Sequence, residues 1–190
     1  MIAGLVLAAG AGTRFGPGSK LLADLEGRPL LEHAIRAQCA VTELERVVVV
    51  LGSHAEAVVS SVGFGRAEPI ICPDWADGQS TSLRCGVRAL SGASKVIVTL
   101  GDEPLLTPEV IAMFVDQPGG ARAIYDGRPG HPVVLGPEQL LAVEGLSGDH
   151  GARALLAGGP RIECARLCPG SDVDTPADLE AIRSEARAIV

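Results

Sequence analysis

Two stretches constrain this chain more than any other: RVVVVLG at residues 46–52 and KVIVTLG at 95–101. Both are apolar nearly throughout, where a strand with one wet face would alternate, and β-branched residues dominate them. That is the pattern of strands covered on both faces, the usual condition of a parallel sheet. IAGLVLAA (2–9), EPIIC (68–72) and HPVVLG (131–136) are short apolar runs bounded by turn residues and read as further strands. Helical segments fall between them, at about 29–40, 54–62, 80–91, 107–116, 149–157 and 176–188. Thr107-Pro108-Glu109 and Thr175-Pro176 each place a capping residue before a first-turn proline, which marks a helix start. Strand and helix alternating in this way predict an α/β fold on a mostly parallel sheet, as one domain over 1–190.

Composition narrows the partners. Hydrophobic residues are 47% and charged residues 21%, so the chain can fill a core and is not disordered. Aromatics are only 3%, which leaves Ala, Val, Leu and Ile to build that core. A net charge of −7 argues against a nucleic-acid partner but leaves room for a small anion held by a few local cations. No apolar run reaches the ~20 residues of a membrane span, and no basic segment precedes the first apolar stretch. Cys39, Cys72, Cys85, Cys164 and Cys168 are odd in number and scattered, as expected for idle thiols in a reducing compartment. A cytoplasmic protein without a membrane partner is the expectation.

Ligands of such folds bind beyond the carboxyl ends of the strands, which points at loops 9–20, 73–80 and 101–106. DGRPGHP (126–132) reads as a further functional loop or a small flap. The first loop, LAAGAGTRFGPGSK (7–20), admits three readings. A dinucleotide fingerprint needs G-x-G-x-x-G, but Phe15 stands at the third glycine, and the next strand ends without the acid that would hold a ribose. A nucleotide P-loop needs Ser or Thr after its lysine, and Leu21 follows Lys20. What remains is a loop in which Gly10 and Gly12 let backbone N–H groups approach a ligand while Arg14 and Lys20 add charge. That suits a nucleoside triphosphate attacked at phosphorus.

L-x-A-G-x-G-T-R-x-G-x-x-x-K behind a first strand resembles the signature of nucleotidyltransferases with the nucleotide-diphospho-sugar transferase fold. Within these, GDEPLL (101–106), PDWADGQSTSLRCGV (73–87), GHPVVLG (130–136), SGDHGARALL (147–156) and DVDTPADL (172–179) resemble, in order, elements of the MobA-like molybdenum cofactor cytidylyltransferases. The resemblance covers nearly the whole chain. It implies a three-layer, Rossmann-like sheet of mostly parallel, mixed strands and magnesium-dependent transfer of CMP from CTP to the phosphate of molybdenum-carrying molybdopterin. An apo-enzyme of the xanthine dehydrogenase type would then receive the product.

The same resemblance assigns roles. Arg14, Lys20 and Asp102 would be catalytic. Leu7, Ala8, Ala9, Gly10, Gly12 and Thr13 would bind nucleotide together with Gly78, Ser80 and Ser82. Gly78 would give the base room; either serine could read its edge or simply cap a helix. Asp102 would hold magnesium with Asp174, although Asp172 could take that second place and Asp174 also reads as part of a helix start. His131, Asp149, His150 and Arg153 would face the acceptor; Arg153 also reads as an ordinary exposed arginine. Trp75 would stack on a ring or pack in the core, and His33 and His54 are structural. A GTP-dependent guanylyltransferase of the same fold is the rival, disfavoured by Ala9 where a second glycine is usual and by Gly101 and Leu105 around the acidic motif. Another small-molecule cytidylyltransferase of this fold, such as that of isoprenoid synthesis, fits less well because the chain is short and its pterin-type segments would go unexplained. A non-catalytic binding protein would be expected to have lost Lys20 or Asp102, and both are present.

Overall fold

The computed structural model describes residues 1–149 and 151–188. In chain order its strands are β1 (Ile2–Ala8), β2 (Asp24–Leu25), β3 (Arg28–Pro29), β4 (Arg46–Leu51), β5 (Glu68–Ile71), β6 (Lys95–Leu100), β7 (Arg122–Tyr125), β8 (Arg128–Leu135) and β9 (Arg161–Glu163). Its α-helices are α1 (Leu30–Ala40), α2 (Ala55–Ser61), α3 (Gln79–Ala89), α4 (Pro108–Ala112), α5 (Pro137–Ala142) and α6 (Pro176–Ala188). Seven strands form one sheet in the order β5-β4-β1-β6-β8-β7-β9, and β2 and β3 form a separate small ribbon. β1 pairs in parallel with β4 and β6, and β4 with β5. β8 alone runs against its neighbours β6 and β7, and β9 is parallel to β7. The sheet is therefore mixed and mostly parallel.

Parity along β4 shows why its valines are continuous. Val47, Val49 and Leu51 join one apolar layer with Leu31, Ile35 and Phe114. Val48 and Val50 join the opposite layer with Leu83, Val98 and Leu135. Helices α1 and α4 cover the first face and α3 the second, giving three layers with a core on each side of the sheet. β5 is an edge strand, largely exposed, and it carries Pro69 where a missing N–H is tolerated. Among the described residues no helix is long and apolar enough to cross a membrane.

Several local expectations need correction. Residues 126–132 are no flap: Asp126 (φ 50°) and Gly127 (φ 77°) form a tight turn joining β7 to β8, as Asp-Gly favours. Segment 149–157 holds only a 3-10 helix at Ala152–Leu156, bounded by Gly151 and by Gly158 in the left-handed region. Strands β7 and β9 and helix α5 were not expected.

Candidate active site

Beyond the carboxyl end of β1, the first loop turns through 3-10 helices at Thr13–Phe15 and Lys20–Leu22. Gly12 is left-handed (φ 61°), and a Cβ there would come within 3.2 Å of the Lys20 side chain. Glycine thus lets the Lys20 stem lie across the loop, with only 8% of the residue exposed. The ammonium donates to Asp102 Oδ2 at 2.5 Å and to Asp174 Oδ1 at 3.1 Å. Arg14 Nη2 stands 2.8 Å from Asp174 Oδ2. Burial works to lower the Lys20 pKa, but the Asp102 charge and hydrogen bond, aided by Asp174, outweigh it and hold the pKa above its usual value. Two cations and two carboxylates from three distant segments therefore meet at one point.

Each carboxylate is free for this because other groups do the local structural work. At the start of α6, Thr175 Oγ1 accepts from Asp178 N at 3.2 Å, and Asp178 Oδ2 accepts from Thr175 N at 2.7 Å. This reciprocal capping leaves Asp174 to face Lys20 and Arg14. Asp172 instead lines a separate cavity with Tyr125 and Arg128. Asp102 follows β6, and its carbonyl accepts from Val173 N at 2.9 Å, which ties the two acidic segments together. Its Oδ1 is buried with no partner among the described residues. No three His, Cys, Asp or Glu side chains cluster among those residues as a metal cage. Two carboxylates with one free, buried oxygen suit magnesium, which commonly takes one or two protein carboxylates and completes its shell with water and substrate phosphate.

A groove in three connected parts runs along this edge. A cavity of about 240 Å³ lies among Gly10, Thr13, Arg14, Lys20, Asp102 and Asp174, with Leu7 and Ala8 at its base. Next to it, about 370 Å³ opens between Ala9, Trp75, Gly78, Ser82, Asp102 and His131. Beyond that, about 620 Å³ is lined by Arg122, His131, Asp149 and Arg153 among others. Gln79 borders all three.

The two serines part company. Ser82 faces the middle cavity, whereas Ser80 is fully enclosed and its hydroxyl has no partner among the described residues. Neither caps α3, whose N-cap is Gly78. Gly78 (φ 115°) is required by its neighbour, since a Cβ would meet the Gly148 backbone at 2.5 Å, and it also lines the middle cavity. Trp75 packs against Gly52, where a Cβ would fall 2.5 Å from the indole, and also lines the middle cavity. His33 Nε2 lies 2.9 Å from the Leu25 carbonyl oxygen, and His54 precedes α2; neither lines the groove. His150 lies outside the described residues.

His131 reaches the groove because β8 bulges. Between the pairs Arg122–Val133 and Ile124–Pro129, β7 contributes only Ala123 while β8 contributes Gly130, His131 and Pro132. Such bulges re-aim side chains near functional sites. Nδ1 of His131 is 3.1 Å from Glu103 Oε1. Burial acts to lower its pKa, but the charge and hydrogen bond of Glu103 prevail and raise it.

With this geometry in view, residues 4–165 match the family described as MobA-like NTP transferase domain. The chain belongs to that family. A protein of Paenarthrobacter nicotinovorans named nicotine blue oxidoreductase is 33% identical, over 92% of each chain. The crystal structure of a Mycobacterium tuberculosis Rv0371c homologue from Mycobacterium sp. strain JC1 superposes with a TM-score of 0.86 at 26% identity, covering 100% of this chain and 98% of that one. A CMP:2-keto-3-deoxy-manno-octonic acid synthetase solved with CTP shares the fold, with a TM-score of 0.74 at 18% identity, covering 100% of this chain and 99% of that one.

In this MobA-like domain, Gln79, Glu103 and Arg122 line or brace the groove without having been expected there. Gln79 and Glu103 sit inside loops singled out from the sequence, one residue from Gly78 and from Asp102. Arg122 lies on a strand that was not foreseen, so nothing in the sequence marked it.

Proposed function

We propose that this MobA-like domain is a molybdenum cofactor cytidylyltransferase, moving CMP from CTP to the phosphate of molybdenum-carrying molybdopterin with release of pyrophosphate. The observation that carries the reading is the meeting of Lys20 and Arg14 with Asp102 and Asp174 at the end of a groove long enough for two substrates. The β- and γ-phosphates lie in the end cavity, the α-phosphate at Asp102 where that cavity meets the middle one, and the cytidine in the middle cavity. The acceptor lies beyond His131, and its phosphate reaches the α-phosphate past Gln79, which borders all three cavities. An oxygen of the acceptor phosphate bonds to the α-phosphorus as the bond from that phosphorus to the bridging oxygen breaks, and the electron pair leaves with pyrophosphate. No protein nucleophile is required. Lys20 and Arg14 exchange their carboxylate partners for phosphate oxygens and stabilise charge that grows in the transition state. The backbone at Gly10 and Gly12 approaches the phosphates, and Ser82 reads the base edge. Asp102 and Asp174 would hold magnesium, which would supply charge neutralisation and polarise phosphate oxygens when bound. An apo-molybdoenzyme of the xanthine dehydrogenase type takes the product. A guanylyltransferase using GTP is the alternative within the same chemistry.

One relative favours a second reading, an oxidoreductase acting on a blue pigment, because the nicotine blue oxidoreductase matches along almost the whole chain. Incubation with α-labelled CTP, magnesium and molybdenum-carrying molybdopterin separates the readings. The cytidylyltransferase forms labelled CMP–pterin and pyrophosphate in equal amounts. Failure to form either, together with turnover of nicotine blue in the presence of a nicotinamide dinucleotide, overturns it in favour of the oxidoreductase.

A further inference from the structure

The far cavity of the groove contains a cation, Arg122, that forms no ion pair among the described residues. Arg122 begins β7, and its register partner is Val133 of β8; both line the cavity of about 620 Å³. Along β7 the buried residues Ala123 and Tyr125 join the layer covered by α1 and α4. Val133 belongs to the opposite layer, beneath the groove, and Arg122 stands beside it. The Arg122 Nε is buried and has no hydrogen-bond partner among the described residues. Two more arginines increase the positive charge. Arg161 of β9 is the register neighbour of Arg122 on its other side, and Arg153 lines the same cavity.

The ion pairs among the described residues include none of these three arginines. Asp149 lines the cavity as well but pairs with neither Arg122 nor Arg153. Like charges side by side across a sheet destabilise it, and a buried donor without a partner adds a desolvation cost. In a chain of net charge −7 such an arrangement is not the consequence of a general excess of base. A guanidinium presents a planar fork that fits a phosphate through paired hydrogen bonds.

We infer that Arg122 is the anchor of a second anion site, which takes a phosphate monoester apart from the triphosphate. The inference rests on the cytidylyltransferase reading, where that monoester is the end group of the acceptor. The site borders the middle cavity through Gln79, His131 and Asp149, and Gln79 continues to the end cavity, so an anion held there can be presented to an α-phosphate at Asp102, where the middle and end cavities meet. Arg153, exposed on its 3-10 helix, supports Arg122 from the rim.

The test is calorimetric titration of phenyl phosphate into protein saturated with magnesium and α,β-methylene CTP, which cannot transfer. Wild-type protein should bind phenyl phosphate, and Arg122→Gln should bind it roughly tenfold or more weakly, the loss of a hydrogen bond to a charged group. Arg122→Lys, which keeps the charge but not the fork, should fall between them. All three proteins should bind the CTP analogue equally, which also shows that the variants are folded. Equal phenyl phosphate affinity in wild type and Arg122→Gln, or binding to neither, overturns the assignment and leaves the nucleotide site standing. Failure of wild-type protein to bind the CTP analogue overturns the nucleotide reading instead. Phenyl phosphate titrated without nucleotide then still decides for or against Arg122.

Discussion

Lys20 joins structure to chemistry at the scale of single residues. In the free protein it separates two carboxylates, with 2.5 Å to Asp102 and 3.1 Å to Asp174. Its removal leaves Asp102 unpaired beside Asp174, which keeps only Arg14, so Lys20→Ala should cost about 1–3 kcal/mol of stability. The transfer rate should fall further, by roughly 10²–10³-fold, as when a donor to a developing anion is lost. Turnover at saturating CTP, compared with thermal unfolding of the same samples, checks both; an unchanged rate would remove Lys20 from the transition state. Gly10 makes a different kind of prediction. A Cβ there meets nothing within 4 Å, and the residue lines both nucleotide cavities. Gly10→Ala should therefore leave the melting temperature within about 1 °C while weakening CTP binding several-fold, because the new methyl occupies ligand space and no native contact. Equal CTP affinity would place the nucleotide elsewhere.

At the scale of elements, the start of α6 positions the site. Thr175 and Asp178 cap the helix reciprocally, and the same turn presents Asp174 to Lys20 and Arg14. Thr175→Ala should cost about 1 kcal/mol, a few degrees in melting temperature for a chain of this size, and should weaken magnesium–CTP binding as Asp174 loses its fixed direction. Differential calorimetry with and without the ligand measures the two effects, and a loss of stability with ligand affinity intact would separate the cap from the site.

This helix start was readable because Thr-Pro is a local signal, as was the one at Thr107, whose hydroxyl accepts from Val110 N. The buried strands β4 and β6 were readable because burial on both faces leaves a continuous apolar run. β7 and β9 were not. They are four and three residues long, begin with arginine, and acquire strand character only from pairing with partners distant in the chain. Helix α5 did carry a signal, Gly136-Pro137 with Gln139 three residues on, but it directly follows a strand and is only six residues long. The segment 149–157 has helical composition, yet glycines close it at both ends and its turn tightens to 3-10.

At the scale of the molecule, the parallel half of the sheet brings loops 9–20, 73–80 and 101–106 to one edge, where strand order alone would place a ligand. The nucleotide end of the groove was legible because its chemistry lies in those loops as glycine and charge. The acceptor end was legible only through the resemblance, which named His131, Asp149 and Arg153, all of which line the far cavity. Arg122 and the bulge that aims His131 were not legible, because they depend on the pairing of β8 with the late strand β7. That division matches the proposed reaction, a nucleotide held by the parallel half and an acceptor by the mixed half.

Thermal unfolding with magnesium and, in separate samples, CTP, GTP, ATP, UTP or NAD tests the central claim most directly. A ligand bound only by the folded state at a hundred times its Kd adds about 2.7 kcal/mol, roughly 5–10 °C here. The account predicts such a shift with CTP, a smaller one with the other nucleotides, and its disappearance in Asp102→Asn, whose own melting temperature stays close to wild type. A shift with NAD alone, or with no nucleotide at all, would contradict it.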